Sequence, residues 1–234
     1  MPVSKKTLAI FRQVRTSDVS DALDSMGLQD RYVMDPCMRP LSFGIRFAGI
    51  AHTQEYTLTD KPLEPMSYEE FDERQYKKGP DGLWREAGPW GAPDEVLVID
   101  AKRTAAGILG SNNTLVGRTK GVVGYVIDGT CRDSYECIIQ KTPVFCSVRS
   151  PVHPMGRLKA VSDNKPIVCG GVVVNPGDVI IADDDGVVAV PQEIADEVAR
   201  RAWLIQAKDR PGRRRAYEEL GLPLDETVEL PSEE

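Results

Sequence analysis

Apolar and polar positions along the chain fall into three regimes. Over residues 16–27, Val19, Ala22, Leu23 and Met26 recur at i, i+3, i+4 and i+7. That spacing lines one face of a helix, with Thr16 or Ser17 as its cap and Gly27 as its stop. A β-like stretch follows at residues 44–51. From about residue 53 to 93 the periodicity disappears, and Glu, Asp, Lys, Tyr, Gly and Pro dominate. Gly79-Pro80-Asp81-Gly82 and Gly88-Pro89-Trp90-Gly91 predict turns there, around one charged helical segment at 68–77. A stretch of this length reads as an elaborated loop or lid, or equally as an interface extension in an oligomer.

From Glu95 onward, short unbroken apolar runs alternate with helical ones. Val96 to Asp100 predicts a buried strand, and a glycine-rich turn at 107–113 leads into a helix at 114–120. The next strand, 122–127, is expected to break at Asp128-Gly129, before a helix at 134–141 and a strand at 144–148. Strands follow at 167–169, 171–174, 179–182 and 187–190, separated by Asn175-Pro176-Gly177-Asp178 and Asp183-Asp184-Asp185-Gly186. Pro191 opens a helix to about residue 207, and a polar tail ends the chain. The alternation of strand and helix predicts an α/β fold. With no repeat and no clean linker, residues 1–234 read as one domain carrying an insertion at about 54–94 and a tail from about 208.

Composition narrows the partners. The chain has 234 residues, 41% apolar and 28% charged, with a formal net charge of −7. An acidic balance argues against nucleic acid, whose phosphates need a basic face, and the run Arg213-Arg214-Arg215 is too short to reverse it. No stretch approaches the roughly 18 apolar residues of a membrane span. The start of the chain lacks the apolar core of a signal peptide, so a soluble cytoplasmic protein is expected.

Five cysteines (37, 131, 137, 146 and 169) form an odd set without CxxC spacing, which disfavours a disulfide framework or a thiolate zinc site. His52 and His153, the two histidines, read first as surface or packing residues. Any metal is therefore expected to be a hard cation held by carboxylates and water, Mg²⁺ or Mn²⁺.

Two loops follow buried strands and precede helices, where α/β sheets place ligands. Gly110-Ser111-Asn112-Asn113 would offer helix N-terminal amides to an anion, although a simple cap explains it too. In Asp128-Gly129-Thr130-Cys131-Arg132-Asp133, Arg132 could clamp a carboxylate and Asp133 could hold a divalent cation. The plainer alternatives are an Asp133 that caps the next helix and an Arg132 that pairs with a neighbouring carboxylate. Together the two loops suit a small oxo acid with a metal. Asp183 to Asp185 look like a hairpin turn rather than a metal site.

Residues 110–133, GSNNTLVGRTKGVVGYVIDGTCRD, resemble the core signature of the RraA-like proteins, which include the 4-hydroxy-4-methyl-2-oxoglutarate and 4-carboxy-4-hydroxy-2-oxoadipate aldolases. The resemblance extends to Thr16-Ser17-Asp18-Val19-Ser20-Asp21-Ala22-Leu23, to residues 46–53 and to the Pro176-Gly177-Asp178 and Ala182 to Val187 segments. It implies a swivelling β/β/α sandwich with a mixed, partly barrel-like sheet layered with helices. It also implies a homotrimer or homohexamer with the active site between subunits. Arg132 and the Gly110 to Asn113 loop would bind the pyruvate part of the substrate, and Asp133 would hold Mg²⁺ or Mn²⁺. Retro-aldol cleavage would then leave a pyruvate enolate, and the same chemistry would decarboxylate oxaloacetate. No Schiff-base lysine is needed, so Lys102 and Lys120 read as surface charges.

Departures from the family pattern matter. Where an acid often follows the loop glycine, this chain has Ser111, and Asn112 and Asn113 stand where the family has apolar residues. A more hydroxylated, sugar-derived acid would suit three polar side chains. Asp209 is a candidate for a further acid supplied by a neighbouring subunit. The competing class is a non-catalytic regulator that binds a protein such as RNase E.

Overall fold

The computed structural model describes residues 2–75, 77 and 82–229, so the turn expected at Gly79-Pro80-Asp81-Gly82 lies largely outside the described residues. The chain opens with α1 (Lys5–Phe11), α2 (Thr16–Asp24), β1 (Arg39–Pro40), β2 (Phe47–Leu58) and α3 (Tyr68–Arg74). The middle contains β3 (Glu95–Asp100), β4 (Gly107–Leu109), α4 (Ser111–Thr119), β5 (Gly124–Cys131), α5 (Ser134–Ile139) and β6 (Val144–Arg149). Then come β7 (Leu158–Asp163), β8 (Ile167–Cys169), β9 (Val172–Val174), β10 (Val179–Asp183), β11 (Gly186–Val190) and α6 (Ala195–Leu220).

The unbroken apolar run of β3 has a direct cause. Parallel strands buried on both faces lose the polar alternation of a half-exposed strand. Val96 and Val98 point to one core with Phe47, Val126, Phe145, Ile180 and Ala182. Leu97 and Ile99 point to a second core with Tyr56, Tyr125, Ile127 and Cys137. Along β10, Val179 and Ile181 face a third core that α1, α2 and α6 cover with Leu8, Phe11, Val19, Leu23, Val198 and Ala202.

The main sheet runs β1-β6-β5-β3-β2-β10-β11, with β4 added to β5 and β7 added to β2. Strands β2, β3, β5 and β6 are parallel, while β10 and β11 form an antiparallel hairpin. The two ends of this order meet: Arg39 of β1 donates to Asp185 O at 2.9 Å, and Gly44 N donates to the Asp184 carboxylate at 2.9 Å. The sheet is thus a nearly closed barrel around the first core. The Asp183 to Gly186 segment is the hairpin turn, with Asp183 paired to Gly186.

Several local expectations shift. α2 is present, but neither Thr16 nor Ser17 caps it. Arg15 is the N-cap, Asp18 accepts from Arg15 N at 2.9 Å, and Thr16 instead donates to Asp183. β5 does not break at Asp128-Gly129. It continues to Cys131 through a register shift, and Gly129 is needed there because a Cβ would lie 2.6 Å from that of Ala101.

The last helix starts at Ala195 rather than Pro191 and runs beyond 207 to Leu220, across Pro211. Gln206 and Arg210 are buried in it, and Gly221 in left-handed backbone ends it. Within the insertion, α3 covers part of the expected 68–77 helix, and Trp84 stacks on buried Tyr56 at 5.6 Å. No helix among the described residues is long and apolar enough to cross a membrane.

Phe145 meets Phe47 edge-on at 5.6 Å inside the barrel and is fully buried. Phe145→Ala should lower unfolding free energy by about 3–5 kcal/mol in a denaturant titration, the range for deleting a core aromatic ring.

Candidate active site

The site forms where β5 ends. Arg132 N donates to Leu109 O at 2.7 Å, which extends the β4–β5 pairing by one rung. The chain then turns through Asp133, whose φ of 54° is left-handed backbone. Such backbone costs a non-glycine residue roughly 1 kcal/mol and tends to be retained where a side chain must be aimed. Asp133 is the N-cap residue of α5, yet its carboxylate does not cap that helix. It accepts instead from Ser111 N at 3.3 Å, so the simple capping alternative fails.

Two glycines make room for the pair. A Cβ on Gly107 would clash with Arg132 Cγ, and one on Gly110 would clash with Asp133 Oδ2. The expected turn at 107–113 is therefore two things: strand β4, and the first turn of α4 beginning at Ser111. Asn112 and Asn113 occupy that first turn, so their backbone amides have no intrahelical partner and are of the kind that can donate to an anion. The α4 N-cap is Gly110, with no side-chain cap bond.

Ser111 has a different place from the one expected. It is buried, its N–H points to Asp133, and its Oγ donates to the Glu136 carboxylate. One serine thus braces two carboxylates that lie three residues apart across the start of α5. Glu136 was not foreseen; its signal was its i+3 spacing from Asp133 in the first turn of α5.

Arg132 has no ion-pair partner among the described residues, and its Nε is buried without a hydrogen bond. The alternative of pairing with a neighbouring carboxylate therefore fails as well. A buried guanidinium nitrogen left unpaired costs stability, as expected of a group kept ready for an anion. The Arg132 carbonyl accepts from Cys131 Sγ at 3.2 Å and from Cys137 Sγ at 3.9 Å. The Cys131 pKa is raised by its hydrogen bond with Cys137 and then by burial, so it remains a thiol. All five cysteines are free.

Other candidates lie elsewhere or do other work. Asp209 sits 3.7 Å from Arg15. Thr16, the next residue, binds Asp183 at the C-terminal end of antiparallel β10, which is the opposite end of the sheet from Asp133. Within one chain, Asp209 therefore does not join the site. Lys102 is more than a surface charge: it bridges Asp100 at 2.5 Å and Glu55 at 2.9 Å. Lys120 is exposed. His52 is held between Glu95 at 3.1 Å and Asp163 at 2.8 Å, a structural clamp. His153 lies close enough to Arg132 to feel its charge. Among the described residues no group of three or more His, Cys, Asp or Glu could hold a metal on its own.

The RraA-like model, described as Aldolase/RraA, matches residues 16–189. The chain belongs to the RraA-like family. A Halalkalibacterium halodurans protein named "Putative 4-hydroxy-4-methyl-2-oxoglutarate aldolase" is 30% identical over 203 residues, 85% of this chain and 83% of that one.

Among solved structures, an uncharacterized protein from Pseudomonas syringae pv. tomato superposes with a TM-score of 0.74 at 25% identity, covering 98% of this chain and 100% of that one. Streptomyces coelicolor RraAS2, described as an unusual member of the RNase ES inhibitor RraA protein family, superposes with a TM-score of 0.72 at 25% identity, covering 91% of this chain and 99% of that one. The mixed, barrel-like α/β architecture is shared with both structures, and so is the RraA fold.

Gly107→Ala should displace Arg132 while leaving the sheet folded. Calorimetric titration with oxalate is expected to show affinity weakened about tenfold or more, with Tm lowered by only a few degrees. Unchanged affinity would mean that Arg132 does not bind carboxylates from this position.

Proposed function

We propose that the chain is a divalent-metal-dependent lyase that cleaves a carbon–carbon bond of a 4-hydroxy-2-oxo acid by a retro-aldol route. The observation that carries this reading is the unpaired, half-buried Arg132 beside the exposed Asp133 carboxylate, both aimed over glycines at a strand end. Arg132 presents a guanidinium fork to the substrate carboxylate, which suits bidentate recognition. The amides of Asn112 and Asn113 add donors with the positive end of α4 behind them.

The donor set fits Mg²⁺ or Mn²⁺. Asp133 and Glu136 are hard oxygen ligands, and Mg²⁺ commonly keeps several waters while resting on one or two carboxylates. When bound, such a cation polarises a 2-oxo group and stabilises the charge left on a pyruvate-like fragment. Arg132 holds that fragment's carboxylate in place during cleavage. Ser111 orients Asp133 through its N–H and Glu136 through its Oγ. Loss of CO₂ from oxaloacetate develops charge at the same carbon, so decarboxylation is expected as a side activity. Because Ser111 is turned inward, the preference for a sugar-derived acid rests on Asn112 and Asn113 alone.

The proposed partner beyond substrate is a second copy of this chain, in a trimer or hexamer. Leu115, Val116, Tyr135, Ile138 and Ile139 are exposed apolar residues on α4 and α5, the two helices that carry the site. A patch of this kind marks an interface, and its position would set the site beside a neighbouring subunit. Asp209, remote from the site of its own chain, would then be available to a neighbour's.

Pyruvate release from 4-hydroxy-4-methyl-2-oxoglutarate and from oxaloacetate tests the activity. Turnover should require Mg²⁺ or Mn²⁺, stop with chelator, and fall at least about 100-fold in Arg132→Ala and Asp133→Ala. Silence of the wild type across these and a sugar-acid panel would favour the protein-binding regulator. Separately, Tyr135→Glu combined with Ile139→Glu is expected to shift the light-scattering mass toward that of one chain. An unchanged mass would place the interface elsewhere.

A further inference from the structure

We propose that His153, with Phe71 from the insertion packed against its ring, forms the specificity wall of the site and donates a hydrogen bond to an oxygen-bearing substituent beyond C3 of the 2-oxo acid. This inference rests on the lyase reading and names the part of the site that would choose among such acids.

Gly107 brings the two regions together. Its N–H donates to Val152 O at 2.9 Å, while the space beside its Cα is filled by the Arg132 side chain. The segment that carries His153 therefore runs alongside Arg132. His153 is half-buried, and its Nδ1 accepts from Met155 N at 3.3 Å. That bond leaves the proton on Nε2, and no partner takes it among the described residues. Burial, followed by the positive charges of Arg132 and Arg157, lowers the His153 pKa below its ordinary value. The ring is thus neutral near pH 7 and offers a hydrogen bond without a charge.

The insertion supplies the second half of the wall. Ser67 caps α3 by accepting from Glu70 N at 3.1 Å, yet α3 buries no residue, and Tyr68 projects into solvent. Phe71 is different: its ring lies edge-on to His153, 6.3 Å between centroids at 74°. On either side the insertion is anchored, by Leu63 against Gly156 and by Trp84 on Tyr56. The exposed helix contributes no buried residue to the core, but through Phe71 it packs on the histidine ring, and its end is tied back where Leu83 N donates to Arg74 O at 3.0 Å.

The chemistry of the wall indicates the class of group it receives. A neutral N–H donor beside an aromatic edge, with Arg132 and Arg157 near, suits a hydroxyl or carboxylate oxygen. It offers nothing to a ligand that ends at the carboxyl and 2-oxo groups. Oxalate presents only that near end, whereas 4-hydroxy-4-methyl-2-oxoglutarate extends past it.

The test compares these two ligands on the full chain with Mg²⁺ present. Calorimetric affinity is measured for both, together with KM and kcat for the longer acid, in wild type, His153→Ala, His153→Gln and Phe71→Ala. His153→Ala and Phe71→Ala should weaken the longer acid about tenfold, in KM more than in kcat, and oxalate far less. His153→Gln, which keeps an N–H donor, should recover part of the loss. Equal weakening of both ligands, or unchanged affinity for the longer acid while oxalate still binds, would overturn the wall. Wild type that neither binds oxalate nor releases pyruvate would sink the lyase reading, and this inference with it.

Discussion

Four parallel strands buried on both faces are the constraint from which the rest follows. β2, β3, β5 and β6 have no solvent-facing side on which to carry chemistry, because one face fills the barrel and the other lies under helices or the insertion. Polar and charged groups are pushed to the strand ends. Glu55, Asp100 and Asp128 stand in register in the C-terminal halves of three neighbouring strands, where Lys102 and Arg103 pair with them. Arg132 and Asp133 lie just beyond the end of β5, where the backbone turns.

At that edge, volume is controlled as closely as charge. Gly107 and Gly110 contribute absence: side chains there would occupy the space of the two residues that do the proposed chemistry. The Arg132 carbonyl is held by two thiols, its N–H by Leu109, and its guanidinium by little. A rigid backbone under an unpaired cation is the arrangement that binds an anion with little reorganisation.

Much of this was legible from the residues. Apolar runs located β3, β5, β6, β10 and β11 because strands buried on both faces leave an unbroken signature. The order Arg132-Asp133 after a strand located the candidate site. What escaped depended on contacts distant in sequence. β7 was missed because Leu158 to Asp163 has too few apolar residues, and it exists by pairing with β2. The fate of Ser111 could not be read from its own segment, since its partner Glu136 is 25 positions away. The helix expected to end near residue 207 runs on to Leu220 because the segment read as a polar tail is helical, with Arg210 buried in it and Pro211 within it. His153 looked like an ordinary packing residue because nothing local ties it to Arg132; Gly107 does.

The left-handed backbone at Asp133 also narrows the routes by which this chain could lose the proposed chemistry. Asn and Gly enter that conformation at low cost, whereas β-branched residues do not. Loss of the carboxylate would therefore pass most easily through Asn, which keeps the shape of the turn and removes only the charge. A descendant that had exchanged chemistry for protein binding could preserve this loop almost atom for atom, so that one side-chain oxygen would separate two vocations of the same fold.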